Sequence, residues 1–167
     1  MVFDFLVNVI TNKIQNEYAY ERAVKPRKGD VIFCRRGISL YKHFGIYIGK
    51  GMVIHFADKS GAFNGESAVV HETSLENFAQ GDDVKVMRFP REYHAGSCFR
   101  EEENRDKYHL QSPEETVARA KSKLGMRGVD DDGYNLFLNN CESFALWCKT
   151  NVGESQQLNS YVDALCV

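Results

Sequence analysis

Three side chains have the types and spacing for nucleophilic acyl chemistry: Cys141 in NNCESFALWCKT, and His43 and His55 in HFGIYIGKGMVIHFA. A cysteine attacks a carbonyl as its thiolate, so it needs a base for the thiol proton and a third polar group to orient that base. If Asn140 caps a helix, Cys141 falls in the first turn, where unpaired backbone N–H groups and the helix dipole favour an anion. Those N–H groups are also candidates for holding an oxyanion on an attacked carbonyl. In this arrangement Cys141 is the nucleophile, His43 the base and acid, and His55 the orienter. Each residue alone has a plainer explanation. Free cysteine is commonly a small buried hydrophobe, and a histidine in a half-buried strand is commonly a packing residue. Only the combination points to a site.

Positioning is the next requirement. Gly49-Lys50-Gly51 separates two short β-type runs, a hairpin signal. A three-residue loop sets Ile48 opposite Met52, so that opposing residue numbers sum to 100, and 43 faces 57 while 45 faces 55. His43 and His55 then share a face as diagonal neighbours, roughly 7–8 Å apart. An even-length loop would put them on opposite faces, because side chains alternate with period two. VIFC after KPRKGD, SAVVHET at 67–73 and DVKVMRF at 83–89 read as further strands, with SLENFAQG a turn or helical bend. Ser112-Pro113-Glu114-Glu115 reads as a helix start, with Ser112 as N-cap, Pro113 at the first position and Glu115 closing a capping box. That helix should stop at Gly125. A second helix is expected over about 141–151, and the polar stretch 90–111 reads as an exposed loop or lid.

Composition narrows the alternatives. A chain of 167 residues suits one compact domain. Its formal charge of −2, with no basic stripe, gives no electrostatic case for nucleic acid. Five cysteines without a CxxC pair argue against a disulfide framework or a zinc ribbon. They fit a reducing, intracellular and cytoplasmic setting. No apolar run is long enough to span a bilayer. The N-terminal MVFDFLVNVITNKI lacks the marks of a secretory signal. Its apolar residues recur with helical spacing, so 1–24 reads as an amphipathic segment that packs on the domain or lies on a membrane. His71, His94 and His109 have no partner at catalytic spacing and read as solvated or structural. The acidic run 130–132 reads as a solvated loop rather than a metal site, Cys148 as core and Trp147 as a core anchor.

LYKHFGIYIGKGMVIHF and NNCESFALW resemble the two signature boxes of the lecithin:retinol acyltransferase-like family. His43, Ile46, Tyr47, Gly49 and His55 match the first box; Asn140, Cys141, Glu142 and Phe144 match the second. KPRKGDVI is similar to the family's Pro-x-x-Gly-Asp lead-in. The resemblance covers about 25–152. It implies an α+β fold, an antiparallel sheet packed with helices in the circularly permuted papain-like order. It also implies thiol-dependent transfer of an acyl chain from a phospholipid or related lipid ester, through a Cys141 thioester, to water, an amine or an alcohol. No metal or other cofactor is implied. His43 and His55 keep the roles given above, and Tyr41, two residues before the first histidine, matches a tyrosine that would help hold the oxyanion. Ser143 departs from the pattern, which commonly has histidine there.

Three readings remain at this point. The first is a phospholipase A1/A2-type acyltransferase with 25–152 as its catalytic domain and 153–167 as a tail. The chain ends at Cys166-Val167 without the hydrophobic anchor of many animal members, so any bilayer contact is expected to be peripheral. The second is a cysteine peptidase or amidase of the same superfold; the third, a non-catalytic interaction module that keeps the boxes. Nothing in the sequence sets an oligomeric state.

Overall fold

Runs such as DVIFCR, KHFGIYIG and MVIHFA are rich in β-branched and aromatic residues, which suit a pleated surface buried on both sides. The computed structural model describes residues 20–22, 25–35, 42–59, 65–89, 110–131, 133 and 140–150. The N-terminal segment through residue 19, residues 90–109 of the polar loop and the tail from residue 151 lie outside these.

The strands are β1 (Tyr20–Arg22), β2 (Asp30–Arg35), β3 (Lys42–Gly49), β4 (Met52–Ala57), β5 (Val69–Ser74) and β6 (Lys85–Arg88). They form one antiparallel sheet in the order β1-β6-β2-β3-β4-β5. The helices are α1 (Leu75–Ala79), α2 (Pro113–Ser122) and α3 (Cys141–Thr150), with a short 3-10 turn at Gly65–Ser67. The protein is α+β, an antiparallel sheet packed with helices, and this architecture is compatible with the papain-like fold that the resemblance implies.

The central strand β3 is covered on both faces. Phe44 and Ile46 point into a core shared with Val31, Ile54, Val117 of α2 and Phe144 of α3. Tyr47 lies in a second core with Ile32, Cys34, Val53, Val86 and Phe78 of α1. Burial of each such large side chain contributes about 1.5–3 kcal/mol over leaving it exposed. Period-two alternation places His43 and Gly45 on the Tyr47 face, toward α1.

Two local features hold these layers in place. Ser112 caps α2, its Oγ accepting from the Glu115 N–H at 3.1 Å, with Pro113 at the helix start. Gly29 has φ 83, and a Cβ there would lie 2.4 Å from Pro113 Cα, so the lead-in turn and α2 approach at a distance only glycine permits. At the far edge, Val70 donates to Met126 O and accepts from Gly125 N, both at 2.8 Å. The chain leaving α2 thereby covers part of the outer side of β5.

The hairpin reaches its expected parity by a different route. Ile46 pairs with Ile54 and Tyr47 with Val53, both summing to 100, but Met52 pairs with Gly49 and not with Ile48. The turn is the two residues Lys50 and Gly51, with φ 51 and 74, as a tight hairpin requires. A register shift between Tyr47 and Gly49 makes Ile48 the extra residue of a bulge, and that extra residue restores the alternation. The Tyr47 hydroxyl accepts from the Gly51 N–H at 3.0 Å and fastens the turn.

Candidate active site

The histidine pair forms as the parity argument requires. His43 Nε2 and His55 Nδ1 are 2.7 Å apart, with ring centroids separated by 5.0 Å and planes at 75°. Both are buried, at 8% and 6% exposure, so the hydrogen bond between them is shielded from water. Phe78 of α1 backs the pair: its ring stacks on His43 at 5.1 Å and meets His55 edge-on at 5.5 Å. Gly45 makes room for that ring, because a Cβ there would sit 2.9 Å from Phe78 Cε2 and 2.7 Å from Val53 Cγ1.

Cys141 is the first residue of α3, and its N-terminus is locked by Asn140. The Asn140 Oδ1 accepts from Glu142 N at 2.9 Å and from Ser143 N at 3.0 Å, and Asn140 O accepts from Phe144 N at 3.0 Å. Asn140 is therefore the cap that the sequence leads one to expect. Ser143 completes a reciprocal box: its Oγ accepts from the Asn140 N–H at 2.8 Å and donates to Asn140 O at 2.9 Å. This gives Ser143 a concrete task, with a serine doing what glutamate does in the usual capping box. The same bonds correct one expectation. The Glu142 and Ser143 N–H groups are held by Asn140 Oδ1, so the helix start does not offer these two donors to an oxyanion.

Cys141 is 1% exposed and belongs to the helix-side core, whereas the histidines occupy the opposite, α1-side face of the sheet. Its Sγ reaches β3 at the strand's first residue, 4.0 Å from the carbonyl oxygen of Lys42, which adjoins His43. The sequence gives no hint of this two-sided approach. Tyr41 lies outside the described residues.

One residue set aside in the sequence belongs to the cluster. His71 is the register partner of His55 across the β4–β5 pair, and their Nε2 atoms are 3.0 Å apart with ring centroids at 4.4 Å. His71 Nδ1 lies 3.0 Å from the Val69 carbonyl oxygen. The reading of His71 as a residue without a partner at catalytic spacing is thus wrong, because cross-strand register, not sequence spacing, makes the contact. His94 and His109 lie outside the described residues.

Among the described residues, the other two cysteines, Cys34 and Cys148, are buried as core. Cys34 Sγ points at Phe78 O, at 3.7 Å. Burial pushes the Cys148 thiol far above its ordinary range, and the charges of Arg119 and Lys123 oppose this only in part. A thiol so hard to ionise is a poor nucleophile. Trp147 is partly buried against the core and lies beneath Arg119, whose guanidinium carbon is 3.9 Å from the ring centroid. Asp131 accepts from the Arg127 N–H at 2.6 Å, a loop-closing bond. Among the described residues no helix is long and apolar enough to cross a membrane.

Two comparisons bear on this geometry. A family model described as lecithin retinol acyltransferase matches residues 24–154. A human protein named Phospholipase A and acyltransferase 1 is 26% identical over 126 residues, spanning 75% of this chain and 69% of the relative.

Proposed function

The chain belongs to the lecithin retinol acyltransferase family, and on that premise we propose that it transfers or hydrolyses acyl groups of phospholipids or related lipid esters through a thioester on Cys141. The named activity of the human relative supports the substrate class. The observation that carries the mechanism is the buried 2.7 Å His43–His55 contact beside the strand end where Cys141 Sγ approaches.

In this mechanism His43 takes the Cys141 thiol proton as sulfur and imidazole approach around the end of β3. The thiolate adds to the ester carbonyl, and the tetrahedral intermediate collapses with loss of the lipid alkoxide, which His43 protonates. The acyl chain is now a thioester on Cys141. His43 then removes a proton from water, an amine or an alcohol, which attacks the thioester and releases the thiolate. His55 holds the His43 ring in orientation throughout. Oxyanion donors are needed beyond the two amides taken by the cap, and Tyr41 is the side chain we assign to that task. Cleavage at either acyl position, of the phospholipase A1 or A2 type, uses the same chemistry. Residues 25–152 form the catalytic domain, and the N-terminal stripe or the 90–111 loop makes peripheral contact with the bilayer.

Intact-mass spectrometry after incubation with mixed phospholipid vesicles tests this directly. The wild-type chain should gain the mass of an acyl group, removable by hydroxylamine, and Cys141→Ala should gain none. Lipid turnover that persists in Cys141→Ala would sink the mechanism.

A further inference from the structure

We propose that His71 is a positioning residue for the base: acting through His55, it fixes which ring nitrogen of His43 carries the proton. The inference rests on the reading of Cys141 and His43 as nucleophile and base. A carboxylate in the orienting position can only accept, so it leaves no choice of direction. An imidazole there is ambiguous, because a neutral ring donates from one nitrogen and accepts at the other. The His43–His55 contact by itself therefore fits two opposite arrangements, of which only one leaves His43 able to accept a proton at Nδ1. Some group outside the pair has to set the direction.

His71 supplies it. A carbonyl oxygen only accepts, so the 3.0 Å contact between His71 Nδ1 and Val69 O puts the proton of a neutral His71 on Nδ1. His71 Nε2 is then an acceptor, and the 3.0 Å contact requires His55 to carry its proton on Nε2. His55 Nδ1 becomes an acceptor in turn, so the 2.7 Å contact places the His43 proton on Nε2. His43 keeps its lone pair on Nδ1, the nitrogen that takes the thiol proton. One backbone carbonyl thus sets the direction of three imidazoles in series. When the thiol reacts, the S–H bond breaks and an N–H bond forms at His43 Nδ1. The new cation finds two hydrogen bonds already directed away from it, toward His55 and His71, which is the sense that stabilises positive charge. With a donor at position 71 the row reverses: His55 donates from Nδ1 to His43 Nε2, and His43 holds its proton on Nδ1, where it blocks transfer from sulfur.

The test is a tautomer assignment by 15N-histidine NMR in the resting protein, at a pH well above the ordinary imidazole value of about 6.5. The expected pattern is Nε2–H on His43 and His55, and Nδ1–H on His71. Two variants then separate positioning from mere packing. His71→Lys offers only donors; it should move the His43 proton to Nδ1 and lower kcat on the order of 10–100-fold with little change in KM. His71→Glu offers an acceptor at the same reach; it should keep the Nε2–H pattern and recover most of that loss. An Nδ1–H tautomer on His43 in the wild-type protein overturns the proposal, and so do equal losses in both variants with unchanged tautomers. The resting-state spectrum needs no turnover, so it stands or falls separately from the Cys141→Ala result.

Discussion

Replacing Asn140 by alanine should destabilise the protein by about 3 kcal/mol, well above the roughly 1 kcal/mol typical of an exposed N-cap. The excess follows from burial. Asn140 is 4% exposed, and its Oδ1 is the acceptor for both Glu142 N and Ser143 N. Without it two buried N–H groups lose that acceptor, each at a cost of about 1–3 kcal/mol, with water poorly placed to replace it. Ser143 keeps its own bonds to the Asn140 backbone, which limits the damage to the first turn. Asn140→Asp should hold the fold, since a carboxylate accepts the same two bonds and suits a helix start. It sets a negative charge beside Cys141, however, so iodoacetamide should alkylate that thiol more slowly. Urea midpoints at unchanged m report the stability change, and the alkylation rate reports the thiolate. A shift under about 0.5 kcal/mol for Asn140→Ala, the range of an ordinary surface substitution, would refute the account of the cap.

Two further predictions concern the layers around the site. Gly45→Ala forces a methyl against Val53 and Phe78 at 2.7 and 2.9 Å. It should cost about 1–3 kcal/mol and reduce acyl-enzyme formation by pushing Phe78 onto the histidine rings; wild-type thermal stability with full acylation would contradict this. Burial holds the Lys149 ammonium below its ordinary 10.5, against the opposing pull of Asp30. The unfolded chain therefore binds that proton more tightly, and stability should rise with pH through the window beneath 10.5. The difference in urea midpoint between wild type and Lys149→Met should show that rise, and a flat difference would remove Lys149 as its source.

Legibility in the sequence followed the range of the interactions involved. The start of α2 was readable because Ser112 and its partner Glu115 are three residues apart. Asn140 was readable for the same reason, and the spacing of Asn140 and Ser143 already contained the reciprocal box, although serine in place of glutamate hid it. The His43–His55 pairing was readable through parity, yet the turn that produces it is shorter than expected and a bulge makes up the difference. The His55–His71 contact was not readable. Parity survives a tight turn, but β4 and β5 are joined through a long connection from Ala57 to Val69, and packing alone sets their register. Phe78 gave no signal either: it sits in a five-residue helix that reads as a bend, and only the third dimension lays it on the imidazoles.

The bulge at Ile48 gives the hairpin a property akin to a reading frame. His43 and His55 meet because the residues between them make an even number of side-chain reversals after one is absorbed. Adding two residues to the turn leaves that sum intact. Deleting one without losing the bulge turns a histidine to the other layer, although every side chain of the pair is still present. Length changes in this hairpin are therefore filtered by oddness before size, and the site can be lost without a single substitution in it.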